Sequence, residues 1–195
     1  MRGMVRVVMS DAVSAIVRGH VLLATCAALY LTWWIVFFRP GASVSGFLYA
    51  FGALSLVLAA AAGVSGAVMI GSVLLGAAGS AHVPMALFAL GGIIGYVLLA
   101  AVTHLVFSRP ITTELLLIVA WCTLELACAT VLGAGGSISA GAQVALYALT
   151  AVLASGSLVA YVLYYNLGAL ASFIDGAVPL VAVGVEAALV AMLLR

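Results

Sequence analysis

The sequence predicts an all-α polytopic membrane protein of six transmembrane helices, on three observations. Hydrophobic residues make up 68% of the 195-residue chain and charged residues only 6%. Apolar runs of about 20 residues or more, the length a helix needs to cross a bilayer core, follow one another with short Gly-, Pro- or Ser-rich breaks. Landmarks also recur: VFFRP at 36–40 returns as VFSRP at 106–110, 70 residues on, and Glu114/Glu125 and Asp175/Glu186 are both eleven residues apart.

Composition narrows the function classes. The chain has no lysine, six arginines, five carboxylates and a net charge of +1. Phosphate binding needs clustered cations, so nucleic acid is not an expected partner. No stretch is long and polar enough for a separate soluble domain, so any activity must sit within or at the edge of the membrane. Cys26, Cys122 and Cys128 fall in apolar runs without a CxxC spacing and read as small buried residues.

Residues 1–19 read as a short amphipathic helix on the membrane surface, with Val5, Val8, Met9, Ala12 and Ile16 at helical spacing and Arg2, Arg6 and Ser10 elsewhere. The first span is expected from His20 to Phe38, uncleaved, closing on Tyr30, Trp33, Trp34, Phe37 and Phe38 as an interfacial aromatic belt. Arg39-Pro40-Gly41 then turns the chain, because proline cannot continue the helix and glycine accepts positive φ. The second span begins near Ser43 and stays apolar to Leu75, about 50 Å of helix and long for one crossing. Its small residues, among them Gly46, Gly52, Gly63, Gly66 and Gly71, predict close helix contacts and a central place in the bundle.

Gly76 to Val83 reads as a loop, and Pro84 opens a third span to Phe107, where Gly91, Gly92 and Gly95 again suggest close packing. The fourth span follows the hinge Arg109-Pro110, and Gly133 to Gly141 reads as a turn. The fifth is expected over about 142–165, ending in Tyr161, Tyr164, Tyr165 and Asn166, and the sixth over about 173–194. The domain plan is thus a surface segment, 1–19, and one six-helix domain, 20–195, built of hairpins at about 20–75, 83–134 and 142–194. An even number of spans puts both termini on one side. Arg2, Arg6, Arg18 and Arg195 against Arg39 and Arg109 make that side cytoplasmic by the positive-inside rule.

The repeated hairpins resemble the HdeD-type acid-resistance membrane proteins, a family of about this length with three helical hairpins. The residues that carry the likeness are GIIGYVLLAAVTHLVFSRPITTELLLIVAWCTLELACATVLGAG (92–135) and VAVGVEAALVAML (181–193). The resemblance implies a non-enzymatic protein of the bacterial inner membrane linked to acid stress, and it brings no catalytic residues to carry over. Within the chain the first hairpin departs, with Val44 and Ser55 where the acidic pair would stand, and the third lacks the Arg-Pro hinge.

Ionisable residues inside a span are costly and therefore functional candidates. Residues eleven apart on a helix lie within about 20° of one face, and Glu125 and Glu186 fall near the middles of their spans at similar depth. Two such carboxylates can share a proton or bind a cation, the design of a proton-coupled small-solute transporter. The alternative is that each is held by hydroxyl or indole donors and only locks the bundle. On the hinge side His104, Arg109, Glu114, Asp175 and Tyr165 form a second candidate cluster, with a His104–Glu114 pair expected from their matching depth below Pro110. His20 and His82 sit near the inner face by this reading and His104 near the outer, with no metal-ligand spacing. No metal or cofactor is expected, and neither a nucleophile triad nor a phosphate loop appears. The expected partners are the lipid bilayer, a second copy of the chain, and a proton or small solute.

Overall fold

Alternating apolar runs and proline- or glycine-marked breaks produce helices joined by short turns in the computed structural model. It describes the backbone of residues 2–41, 43–81 and 83–195 and the side chains of 11–41, 43–76 and 83–195. The helices are α1 (Arg2–Phe38), α2 (Gly46–Ala81), α3 (Met85–Phe107), α4 (Thr113–Ala134), α5 (Ala140–Leu163) and α6 (Ala169–Leu193), with a single 3-10 turn, Tyr164–Asn166, between the last two. All six are long and apolar enough to cross a membrane.

Two boundaries differ from the sequence reading. α1 runs unbroken for 37 residues, so no joint separates residues 1–19 from the first span. Charge alone does not break a helix, and nothing between Arg2 and Phe38 removes a backbone donor. The loop expected from Gly76 is helix as far as Ala81, because alanine favours the helix and the first proline comes only at Pro84. His82 lies outside the described residues.

The turns follow local chemistry. Gly41 takes φ +74° after Pro40. Ser108 closes α3 in the left-handed region at φ 53°, and the Arg109 amide bonds back to the Thr103 carbonyl at 3.0 Å. Ser139 caps α5 by accepting from the Ala142 amide. Inside α6, Pro179 lacks an N–H, so the Asp175 carbonyl loses its i+4 partner.

Packing closes five helices into a ring in the order α1, α2, α4, α5, α6 and back to α1, while α3 leans on α4 from outside with a small edge on α2. α4, not the glycine-rich α2, is the central helix: half of its most apolar window is buried, against 22% for α2 and 6% for α3. The small residues of α2 serve one seam. A Cβ on Gly66 would come 2.8 Å from the Gly19 carbonyl oxygen, so α1 and α2 touch backbone to backbone there. On α3 the expectation of close packing fails. A Cβ at Gly91 or Gly95 would meet nothing within 4 Å, and only Gly92 abuts a neighbour, Thr123.

Trp34 does not face lipid. It is buried, stacks on Phe38 and Phe173 and donates its indole N–H to the Phe173 carbonyl at 2.9 Å, tying α1 to α6.

Candidate functional site

The buried faces of α1, α4, α5 and α6 meet around three ionisable side chains. His20 and Glu186 are wholly buried and Glu125 is 3% exposed. His20 Nε2 lies 3.1 Å from Glu125 Oε2, and among the described residues this is the one acid–base pair within ion-pair distance. The other ring nitrogen, Nδ1, lies 2.8 Å from the Ile16 carbonyl oxygen. A carbonyl only accepts, so Nδ1 carries a hydrogen. One more proton must then lie between Nε2 and Oε2. It rests on the imidazole beside a carboxylate or on the carboxyl beside a neutral imidazole, and no heavy atom need move between the two states.

Glu186 contacts Thr150 through Oε1, and the same Thr150 hydroxyl lies 3.0 Å from the Leu146 carbonyl. A hydroxyl has one hydrogen and cannot donate to both. If it turns to Glu186, it donates to a carboxylate oxygen or to the carbonyl oxygen of a neutral carboxyl. If it turns to Leu146, the contact needs a proton on Glu186. The hydroxyl rotor can therefore serve Glu186 in either protonation state without any heavy atom moving. Glu125 and His20 lie within electrostatic range of Glu186, and Trp121 faces it from α4. The Trp121 Nε1–H makes no hydrogen bond of acceptable geometry, and Glu125 Oε1 and Glu186 Oε2 are likewise buried without a partner.

The charge count is simple. With one proton on the His20–Glu125 pair and none on Glu186 the cluster carries one net negative charge. A second proton, on Glu186, brings it to zero. The arrangement can take up and release a single proton while three orphaned polar atoms stand ready for a small polar bridge.

Sequence spacing thus found Glu125 and Glu186, and the structure brings both into one buried cluster. It missed His20. Placing the start of the span at His20 set that residue at the inner face, whereas α1 runs through it without a break and His20 stands at the middle of the helix Arg2–Phe38. The signal available was the histidine itself, on a helix whose flanking residues could span.

The hinge-side residues are brought together only in part. Arg109 is 2% exposed and donates from Nε to the Tyr161 carbonyl at 2.6 Å. Its guanidinium carbon lies 3.8 Å from the centroid of the Tyr165 ring, 4.6 Å from Tyr161 and 5.6 Å from Tyr164. The Tyr161 hydroxyl in turn donates to the Pro110 carbonyl at 2.8 Å. Asp175 lies within electrostatic range of Arg109. The expected His104–Glu114 pair does not form. The left-handed turn at Ser108 folds the Arg109 carbonyl back to His104 Nδ1 at 3.3 Å, while Glu114 is exposed and accepts from Thr112 Oγ1 at 3.4 Å. Matching depth on adjacent helices did not make them neighbours, because each found a nearer local partner. Comparison of the chain with protein-family models, curated proteins and solved structures gives no match.

Proposed function

We propose that the chain is a non-enzymatic, proton-coupled small-solute transporter of the bacterial inner membrane, with His20, Glu125 and Glu186 as its proton site. The observation that carries this reading is the buried His20–Glu125 bond, in which the Ile16 carbonyl holds Nδ1 protonated and leaves one mobile proton between Nε2 and Oε2. Glu186 supplies a second acceptor in range, with the Thr150 hydroxyl free to reorient. Intramembrane carboxylates and histidines in series are the usual means of passing protons in pumps and carriers.

The organisation that goes with this reading has both termini cytoplasmic and hairpins at about 20–75, 83–134 and 142–194. The likeness to HdeD-type proteins adds an acid-stress setting for the same chemistry, in which the cluster alters proton permeability.

The test is proton flux into vesicles of reconstituted protein holding a trapped pH dye, after an imposed pH step and with solute present or absent. Wild type should change the flux, and the folded double variant Glu125→Gln, Glu186→Gln should match empty vesicles. Wild-type protein that never departs from empty vesicles would sink the reading.

A further inference from the structure

The hinge end of the bundle holds a second set of polar groups that the proton cluster does not use. Arg109 Nη1 and Nη2 are buried and have no hydrogen-bond partner, and Asp175 Oδ2 is buried and has none either. These are opposite charges within electrostatic range, yet no hydrogen bond joins them. Register explains why they sit together. α5 and α6 are antiparallel, and Thr150 contacts Glu186. Eleven residues along α5 and eleven back along α6, about 16 Å on each helix, bring Tyr161 opposite Asp175. Tyr161 is the residue whose carbonyl fixes Arg109.

That fixation matters. With Nε committed, Nη1 and Nη2 present two parallel N–H groups in a set direction, the shape that matches the two oxygens of a carboxylate. On the other side Asp175 offers Oδ2, a buried acceptor without a partner. So the donor face wants a carboxylate, and the acceptor face wants a group with several N–H donors. An anion alone would meet the Asp175 carboxylate, and a cation alone would meet the guanidinium.

We propose that Arg109 and Asp175 bind the two ends of a small zwitterion of the α-amino-acid class, its carboxylate on Nη1 and Nη2 and its ammonium on Asp175. Arg109 and Asp175 together carry no net charge, and neither does the ligand. The rings of Tyr161, Tyr164 and Tyr165 pack around the guanidinium, two of them carried on the 3-10 turn. The buried face of α5 leads from there past Ser157, wholly buried, to Thr150 and the proton cluster. The proposal rests on the proton-coupled reading and deepens it by naming the solute.

The experiment is equilibrium binding of tritiated glycine, alanine, leucine and glutamate to the purified full-length protein, with propionate and ethylamine as competitors. Wild type should bind at least one of the four saturably. Propionate and ethylamine, each with one half of the ligand, should compete about tenfold or more less well than the unlabelled amino acid. Arg109→Lys, which keeps the charge and loses the fork, and Asp175→Asn should each weaken binding about tenfold or more in protein that elutes as wild type on gel filtration. Saturable binding of none of the four, or equal binding by both variants, overturns the proposal and leaves water as the bridge. Propionate competing as well as the amino acid overturns the zwitterion. Proton flux on the same wild-type preparation separates the two failures. Flux without binding removes the ligand alone, whereas binding without any proton movement removes the carrier reading and leaves the site.

Discussion

The two polar clusters stacked along the α5–α6 seam are satisfied in opposite ways. In the inner one a base and an acid meet directly, His20 on Glu125 at 3.1 Å, and a hydroxyl reaches Glu186. In the hinge-side one a cation is fixed by a carbonyl and three aromatic faces, while its two terminal nitrogens and Asp175 Oδ2 stay unpaired. A closed acid–base pair suits a proton, which needs no room. An open pair of opposite charges suits a ligand that can bridge it. On that difference rests the proposal of a proton at one end of the seam and a solute at the other.

Stability measurements sharpen the contrast. The largest effect is expected for His20→Ala, which strands Glu125 in the core without its partner. The cost should be about 3–5 kcal/mol in reversible unfolding, and His20→Leu with Glu125→Leu should recover most of it. Additive losses in that double variant would mean the two side chains are not a pair.

Next comes the seam between α1 and α2. Gly66→Ala puts a methyl 2.8 Å from the Gly19 carbonyl oxygen. It should cost about 1–3 kcal/mol, since backbone must move to admit it. Arg109→Leu should cost about 1 kcal/mol or less, because the lost bond to Tyr161 is offset by removing a buried charge with two unmet donors. A loss as large as that of His20→Ala would show that Arg109 already has an anionic partner. Smallest is Gly95→Ala on α3, where the added methyl meets nothing. It should be neutral or stabilise by up to about 1 kcal/mol through helix propensity.

Six helices were legible in the sequence because each rests on an apolar run whose length the bilayer dictates. Their ends were legible where a proline or a left-handed residue forces a turn, as at Pro40-Gly41, and not where composition merely thins, as at Gly76–Ala81. Arginines at the start of α1 suggested a separate surface helix. A charged turn, however, costs the helix nothing, and α1 continues through it. Glu125 and Glu186 were found because rise per residue fixes depth. Which residues meet across the bundle depends on rotation and crossing of helices, which periodicity does not carry. So His20 was missed, α2 was taken for the centre, and His104 was paired with Glu114. The Arg109–Tyr161 contact was equally hidden, since it uses a backbone carbonyl.

The measurement closest to the central claim is infrared difference spectroscopy of the reconstituted protein across a pH step, reading the carboxylic-acid carbonyl stretch. One proton exchanging on the His20–Glu125–Glu186 cluster predicts a carboxylic-acid band that gains and loses intensity with pH in wild type. Glu186→Gln should abolish or shift that band, and His20→Gln should move it. A band that never changes with pH, or that persists unaltered in Glu125→Gln and Glu186→Gln alike, would contradict the account.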